Sequence, residues 1–244
     1  MPELSVQTIH EAVFAEYQPI MHLGEDRMVA CEALARWRSP DGTVSSIETF
    51  IDEIEADEDY ATALTARMLN CISSELGTIL SDHPKFSVSV NIPPIVIGRG
   101  RIRKVIRDAG LRDRLGQLIG EITERQALND LGRSAIRLAR DLGARIAIDD
   151  FGTGESGLQQ LIGLEVDTLK IDKSFVVLLG KDKSAERLVR GIAALATVIK
   201  VDLVAEGVET QEQASFLRAI GVEKGQGWLW SKAIGHAELG SWLT

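Results

Sequence analysis

The hydrophobic and polar positions of this chain follow two different periods along most of its length. Short apolar runs alternate with segments in which apolar residues recur every three or four positions, as buried strands and amphipathic helices require. Two strands, at 14–23 and 28–37, come first and are joined by the turn Gly24-Glu25-Asp26-Arg27. So short a connection predicts an antiparallel hairpin, because parallel strands need a long crossover.

From residue 86 onward the pattern repeats as a strand followed by a helix. Strands are predicted at 86–92, 118–123, 145–148, 168–172, 202–206 and 223–229. Helices are predicted at 101–109, 131–142, 157–162, 183–200, 211–220 and 236–243. With the hairpin this makes eight strands, and no linker is long enough to divide the chain. Residues 1–244 are therefore expected to form one domain, with its core at about 13–243.

The fold class that follows is α/β, and the simplest architecture is a modified (βα)8, TIM-like barrel with an antiparallel first strand pair. An open doubly wound sheet is the alternative, although no GxGxxG segment follows the first strand. Between the hairpin and residue 86, Ser45-Ser46-Ile47-Glu48 resembles a capping box, and helices are expected at 50–55 and 60–80. Residues 1–12 predict one helical turn at most.

Composition narrows the range of partners and cofactors. A net charge of −9 and a pI of about 5.1 disfavour a nucleic-acid polymer, which needs a basic stripe. The longest apolar run, 192–199, is too short to cross a bilayer, so no membrane insertion is expected. No export signal begins the chain, and Cys31 and Cys71 make no disulfide framework, which favours a cytoplasmic location. The histidines are scattered, so oxygen ligands for Mg²⁺ or Mn²⁺ are favoured over a zinc site.

Polar residues stand at the C-terminal ends of the predicted strands, where a β/α barrel places its active site. Asp149 and Asp150 end one apolar strand and open into a glycine-rich loop, which suggests a hard-cation site for one or two metals. An Asx turn or a helix cap is the alternative for this pair. Isolated burial of so many polar groups would destabilise the fold, so convergence on one site is the simpler explanation. The polar residues are Glu32, Asn91, Glu121, Asp149, Asp150, Lys170, Asp172, Glu206 and Gln226.

The second strand places Glu32, Leu34 and Arg36 on one face by its period of two. That face offers a carboxylate for a metal and a guanidinium suited to phosphate. A Glu–Arg ion pair on a half-exposed strand is the alternative. Cys31 lies on the opposite face and is expected to pack against a helix.

The segment Cys31-Glu32-Ala33-Leu34-Ala35-Arg36-Trp37 resembles the signature of the EAL family, the bacterial cyclic di-GMP phosphodiesterases. Further motifs of that family occur in the same order, so that the resemblance spans residues 17–230. They are Tyr17-Gln18-Pro19-Ile20, Val90-Asn91-Ile92, Glu121-Ile122-Thr123-Glu124, Asp149-Asp150-Phe151-Gly152-Thr153-Gly154, Leu169-Lys170-Ile171-Asp172, Ala205-Glu206-Gly207-Val208-Glu209-Thr210 and Gln226-Gly227.

The resemblance implies hydrolysis of cyclic di-GMP to linear 5′-pGpG, by in-line attack of a water shared between two Mg²⁺ or Mn²⁺ ions. The implied ligands are Glu32, Asn91, Glu121 and Asp149 for one ion, and Asp149, Asp150 and Glu206 for the other. Lys170, Glu206 and Glu32 would be the catalytic residues, with Lys170 orienting the water and Glu206 accepting its proton. Residues expected to contact or frame the substrate are Gln18, Leu34, Arg36, Glu209 and Gln226. Glu124 would brace the loop after Asp150, and Asp172 would hold Lys170 by an ion pair.

Departures from the family pattern lie in supporting positions. The loop reads Gly154-Glu155-Ser156-Gly157 where Gly-Tyr-Ser-Ser is common, which bears on turnover and on the homodimer that the resemblance implies. Pro93 and Pro94 should end strand pairing abruptly after Asn91. Many relatives carry a regulatory domain, so a regulatory domain or partner outside this chain is expected.

Two other functions remain open on the residues alone. The altered loop at 154–157 allows a receptor or docking module that binds the same ligand and turns it over slowly. Lys170 on a barrel strand also permits a Schiff-base amine. Such an amine needs a lowered pKa, whereas the carboxylates expected around Lys170 would raise it.

Overall fold

A computed structural model of the chain describes residues 4–153 and 163–243. The strands in chain order are β1 Val13–His22, β2 Arg27–Arg38, β3 Val44–Ser46, β4 Ser87–Asn91, β5 Leu118–Thr123, β6 Arg145–Phe151, β7 Thr168–Ile171, β8 Asp202–Ala205 and β9 Lys224–Gly225. The α-helices are α1 Val6–Ala12, α2 Ile51–Ala56, α3 Glu58–Asp82, α4 Pro94–Gly98, α5 Ile102–Asp108, α6 Glu124–Ala127, α7 Asp130–Leu142, α8 Lys173–Val176, α9 Lys183–Ile199, α10 Gln211–Ala219 and α11 His236–Gly240. Short 3-10 helices occupy Ile47–Phe50 and Arg112–Gln117.

Eight of these strands close into a barrel. The order of pairing is β1-β9-β8-β7-β6-β5-β4-β2, and β1 pairs with β2 to complete the ring. β1 is antiparallel to both of its neighbours, whereas β2 and β4 to β9 run parallel to one another. The predicted modified (βα)8 barrel with an antiparallel first pair is therefore confirmed, and the open doubly wound sheet is excluded.

Alternate residues of the β1–β2 hairpin pack on opposite faces, one toward the helices and one toward the barrel interior. Tyr17, Cys31 and Ala33 belong to the large core between the barrel and its helices. Ile20 and Ala30 instead pack with Val204 in a small separate cluster inside the barrel. Because Gln18 lies opposite Glu32 in the antiparallel register, the polar residues of both strands share the interior face.

Several predicted boundaries are wrong at the ends of the barrel. The chain before β1 forms the two-turn helix α1, which begins at a capping box between Ser5 and Thr8. The predicted box at Ser45 is absent: Ser45 pairs with Trp37 in the extra strand β3, and Ser46 caps the following 3-10 helix.

The strand predicted at 223–229 is shorter than expected. It pairs only over Lys224–Gly225, because the chain turns beside Val208 at Gly227, where a Cβ atom would lie 2.2 Å from the Val208 carbonyl oxygen.

Strand β6 is longer than predicted. It continues through the aspartate pair to Phe151 instead of ending at Ile148, with an irregular register against β7 at that point. The helix predicted at 157–162 lies outside the described residues. In the ranges 4–153 and 163–243, no helix is both long enough and apolar enough to cross a membrane.

Candidate active site

A single lysine lies at the centre of the C-terminal mouth of the barrel. The Nζ atom of Lys170 on β7 is 2.6 Å from Glu206 Oε1, 2.9 Å from Glu121 Oε2, 3.1 Å from Asp149 Oδ1 and 3.3 Å from Glu32 Oε2. These carboxylates come from β2, β5, β6 and the residue after β8, so the closed barrel is what brings them together. The Lys170 side chain is only 2% exposed.

Four carboxylates around one ammonium group leave a buried excess of negative charge. Burial raises the pKa of Glu121 well above its usual range, the charge of Glu32 adds to this, and Lys170 opposes it. Burial likewise raises the pKa of Glu206, to about 8, against the opposing charge of Lys170. Burial would lower the pKa of Lys170, but the surrounding carboxylates outweigh it and raise that pKa well above its usual value. The site therefore needs further positive charge before all four carboxyls can ionise.

Gln226 holds two of these carboxylates. Its Nε2 atom, on a side chain that is 4% exposed, donates to Glu32 Oε2 at 2.6 Å and to Glu206 Oε1 at 3.3 Å. Burial would raise the pKa of Glu32, but the Lys170 charge and the Gln226 hydrogen bond outweigh it and lower that pKa. Gln226 thus braces the acidic cluster from within the barrel.

The carboxylates form two overlapping groups that suit divalent cations. Oxygen atoms of Glu32, Glu121 and Asp149 lie within 4.8 Å of one another, and the same holds for Asp149, Asp150 and Glu206. Asp149 belongs to both groups. All of these donors are oxygen atoms, which Mg²⁺ and Mn²⁺ prefer, and the uncompensated negative charge favours cations. The residues present therefore fit the two metal ions that the sequence predicts.

Asn91 stands at the edge of this cluster. It is the last residue of β4 and is exposed, and its Nδ2 atom lies 3.5 Å from Glu32 Oε1. Its position opposite Glu121 in the parallel register follows from the pairing of β4 with β5.

The backbone around Asp150 is bent sharply toward solvent. Asp150 has a φ of 54°, in the left-handed region that favours glycine, and Gly152 follows with a φ of 96°. Burial and the neighbouring charges of Asp149 and Asp172 raise the pKa of Asp150. The Gly152 backbone N–H donates to Glu124 Oε2 at 2.9 Å, a contact of the kind expected from a residue that braces this loop. The substituted positions Glu155 and Gly157 lie outside the described residues.

Asp172 does not hold Lys170. Its Oδ1 atom accepts a hydrogen bond from the Ser174 backbone N–H at 3.0 Å and thereby caps α8, and it is not among the four carboxylates paired with Lys170. The predicted ion pair is therefore wrong, because β7 ends at Ile171 and the chain turns into a helix at Asp172. The raised pKa of Lys170 also excludes the lowered pKa that a Schiff-base amine needs.

A cavity of about 340 Å³ opens beside the acidic cluster and is lined by Glu32, Leu34, Arg36, Asn91 and Asp149, among others. Of the other predicted substrate residues, Gln18 is half-buried and its Nε2 atom lies 3.4 Å from the Ser231 carbonyl oxygen. Glu209 is exposed just beyond β8.

Two contacts around this cavity were not predicted from the sequence. Arg36 Nε donates to Glu16 Oε2 at 2.8 Å, so the ion-pair partner of Arg36 lies on β1 and is not Glu32. Gln126 Nε2 donates to Glu55 Oε2 at 2.9 Å, and both residues line the cavity. No signal in the sequence predicted the first contact, because it depends on the register in which Glu16 lies opposite Leu34.

Known proteins resemble this chain in sequence. Residues 3–233 match the family described as "EAL domain". The chain is 36% identical over 234 residues to "Probable cyclic di-GMP phosphodiesterase PdeB" of Escherichia coli, covering 94% of this chain and 44% of that protein. It thus spans less than half the length of the curated relatives that it matches first.

Solved structures resemble the chain over nearly its full length. A PaMucR phosphodiesterase complex with c-di-GMP superposes with a TM-score of 0.85 at 29% identity, covering 96% of each chain. BlrP1 of Klebsiella pneumoniae, in a complex with calcium and cy-diGMP, superposes with a TM-score of 0.78 at 26% identity, covering 97% of this chain and 58% of BlrP1. A manganese and cy-diGMP complex of BlrP1 is similar as well, with a TM-score of 0.77 at 27% identity and coverage of 92% and 56%.

Proposed function

The chain belongs to the EAL domain family, and from that membership we propose that it is a phosphodiesterase that hydrolyses cyclic di-GMP to linear 5′-pGpG. The observation that carries the proposal is the Lys170 cluster, in which one buried ammonium group faces four carboxylates at the barrel mouth. A cluster of this charge suits a reaction that brings divalent cations and an anionic phosphodiester together. The adjoining cavity gives such a substrate access to the cluster.

We assign two ion sites to the acidic residues. Glu32, Asn91, Glu121 and Asp149 would hold one Mg²⁺ or Mn²⁺, and Asp149, Asp150 and Glu206 would hold the other. When bound, the ions would supply Lewis acidity, offsetting charge on the phosphodiester and making an attacking water easier to deprotonate. Gln226 holds Glu32 and Glu206 by hydrogen bonds, and Glu124 holds the backbone of Gly152, two residues after Asp150.

The chain's own residues account for the remaining steps. Water attacks phosphorus in line with the 3′ oxygen, the P–O3′ bond breaks, and the product keeps a 5′ phosphate and gains a 3′ hydroxyl. Lys170 would orient the attacking water and offset charge that develops on the phosphoryl oxygens. Glu206 would accept the proton of the attacking water once cations offset the negative charge around it, and the departing 3′ oxygen takes up a proton from solvent. Arg36, held at Nε by Glu16 and at Nη1 by the Ala35 carbonyl oxygen, would direct its Nη2 group at a phosphate.

Other parts of the proposal follow from family membership. We place the chain in the cytoplasm as a homodimer whose activity a regulatory domain or partner controls. The cysteines that the structure describes, Cys31 and Cys71, are unpaired and buried, which suits a reducing compartment.

Nucleotide product chromatography tests the activity. The chain with cyclic di-GMP and Mg²⁺ should yield 5′-pGpG, and EDTA should stop the reaction until Mg²⁺ or Mn²⁺ is restored in excess. Metal-dependent binding of cyclic di-GMP without product would instead identify a receptor. Neither binding nor product at saturating metal would remove the ligand assignment altogether.

A further inference from the structure

Charge is distributed unevenly along this acidic chain. Residues 99–145 contain 12 of the 27 Lys and Arg residues but only 6 of the 36 Asp and Glu residues, so this segment has a formal charge of +6 and the remainder −15. Two of those carboxylates, Glu121 and Glu124, are buried at the site described above and do not offset charge at the surface. The exterior of the segment is therefore strongly basic.

Three elements of this segment pack over the same part of the barrel. Ile102 and Ile106 of α5, Leu115 of the second 3-10 helix, and Ala139 and Leu142 of α7 line the same small apolar cavity behind β5 and β6. Because their apolar sides line this cavity, their opposite sides face solvent on the same part of the molecule. We define the basic face as the exposed cations on those sides, which are Arg103, Lys104, Arg107, Arg112, Arg137 and Arg140.

The positive charge of the basic face is only partly compensated by ion pairs. Lys104 and Arg107 share the single carboxylate of Asp108, and Arg140 pairs with Glu165. Arg103, Arg112 and Arg137 make no ion pair with any residue in the described part of the chain, and Arg137 donates only to the Ser134 hydroxyl. Asp113, Asp130 and Asp141 are exposed on the same elements and reduce the positive charge of the face. An excess of positive charge remains over residues 99–145, because four exposed carboxylates there stand against twelve Lys and Arg residues.

The chemistry of the basic face distinguishes between possible partners. The large hydrophobic side chains that are exposed in the described ranges all lie elsewhere, and residues 99–145 contain no aromatic residue. Protein interfaces are organised around buried apolar or aromatic anchors, and single-stranded nucleic acids stack on aromatic rings. A layer of anionic lipid headgroups needs neither, because it attracts Lys and Arg by charge alone.

From these observations we propose that the basic face docks the protein peripherally on an anionic lipid bilayer. The elements that form it border Leu118 and Arg145, at the N-terminal ends of β5 and β6, whereas the Lys170 cluster lies at the C-terminal ends. A molecule docked in this way keeps its catalytic mouth open to solvent. The proposal stands independently of the phosphodiesterase assignment, since none of the six cations belongs to that site.

Vesicle co-sedimentation at an ionic strength of about 0.1 M, where the Debye length is about 10 Å, tests the proposal. The parent chain should bind vesicles of phosphatidylglycerol and phosphatidylcholine in equal parts but not vesicles of phosphatidylcholine alone. Combining Arg103→Gln, Arg112→Gln and Arg137→Gln should weaken binding roughly 100-fold, since each basic residue near such a surface contributes roughly fivefold. These three arginines have no carboxylate partner among the described residues, so the melting temperature should change little.

A matched control separates the location of charge from its total. Combining Lys181→Gln, Lys183→Gln and Arg187→Gln removes the same charge from exposed positions outside the basic face. This control should leave vesicle binding within about threefold, since charges farther than a Debye length from the bilayer are largely screened. The proposal is overturned if the parent chain does not bind anionic vesicles or binds both vesicle types equally. It is also overturned if the control variant loses as much affinity as the triple arginine variant.

Discussion

Replacing Lys170 with methionine should destabilise the metal-free protein far more than a surface lysine replacement does. The substitution keeps most of the side-chain volume but removes the ammonium group that lies 2.6 to 3.3 Å from four carboxylate oxygens. Water cannot take over this role, because Lys170 is 2% exposed and Glu121 is 1% exposed. The variant therefore leaves carboxylates buried without a cation.

The magnitude follows from that burial. Removing one partner of a buried ion pair costs about 3–5 kcal/mol, because the remaining charge stays desolvated. The lower end applies here, since Glu121 and Glu206 already have raised pKa values and can take up protons. For a domain of this size each kcal/mol lowers Tm by about 2–4 °C, so the expected loss is about 6–12 °C for roughly 3 kcal/mol.

Thermal unfolding in EDTA and in excess Mg²⁺ is the assay. Divalent ions supply positive charge to the same carboxylates, so the deficit of Lys170→Met should shrink to less than half when Mg²⁺ saturates the sites. The control Lys183→Met removes an 81% exposed ammonium paired with Glu186 and should cost at most about 1 kcal/mol in either buffer. A deficit that is absent in EDTA, or that Mg²⁺ leaves unchanged, would refute the electrostatic account of the site.

The same geometry predicts the outcome of four other experiments. Glu32→Ala should abolish turnover with the fold intact, as judged by product chromatography and circular dichroism; turnover within a few-fold of the parent would remove Glu32 from the metal site. Lys170→Ala should lower kcat more than it raises the Kd of cyclic di-GMP, and the opposite pattern would make it a substrate anchor only. Glu16→Ala should raise KM several-fold while Glu16→Gln, which keeps an acceptor for Arg36 Nε, should not; equal effects would contradict a positioning role. Because the pKa of Glu206 is raised from 4.5 to about 8 on folding, its contribution to stability in EDTA is full below pH 4.5 and is lost as the pH rises to about 8, and urea unfolding across that range checks the sign.

The sequence was sufficient for features that depend on period and order. Alternating strands and helices, together with the short turn at Gly24, predicted the barrel and its antiparallel pair. The position of polar residues at strand ends predicted that Glu32, Glu121, Asp149 and Lys170 would meet, since a closed barrel leaves few other places for them.

Features that depend on the detailed path of the backbone could not be predicted from the sequence pattern. The positive φ of Asp150 and the capping role of Asp172 arise where strands end, and periodicity carries no information about such endings. The Glu16–Arg36 contact joins residues that are diagonal neighbours on β1 and β2, since Glu16 lies opposite Leu34. The hydrophobic pattern has a period of two, so it does not distinguish this strand register from one shifted by two residues. The early end of β9 required knowing that Gly227 passes close to Val208.

The proposed mechanism requires that the barrel mouth bind two divalent ions through a shared Asp149. The most direct measurement is a crystal structure of the chain soaked in Mn²⁺, with anomalous scattering used to locate the ions. We expect two anomalous peaks. One should mark an ion bound by Glu32, Asn91, Glu121 and Asp149, and the other an ion bound by Asp149, Asp150 and Glu206. A soaked crystal with Lys170 still paired to all four carboxylates and no anomalous peak at Asp149 would contradict it.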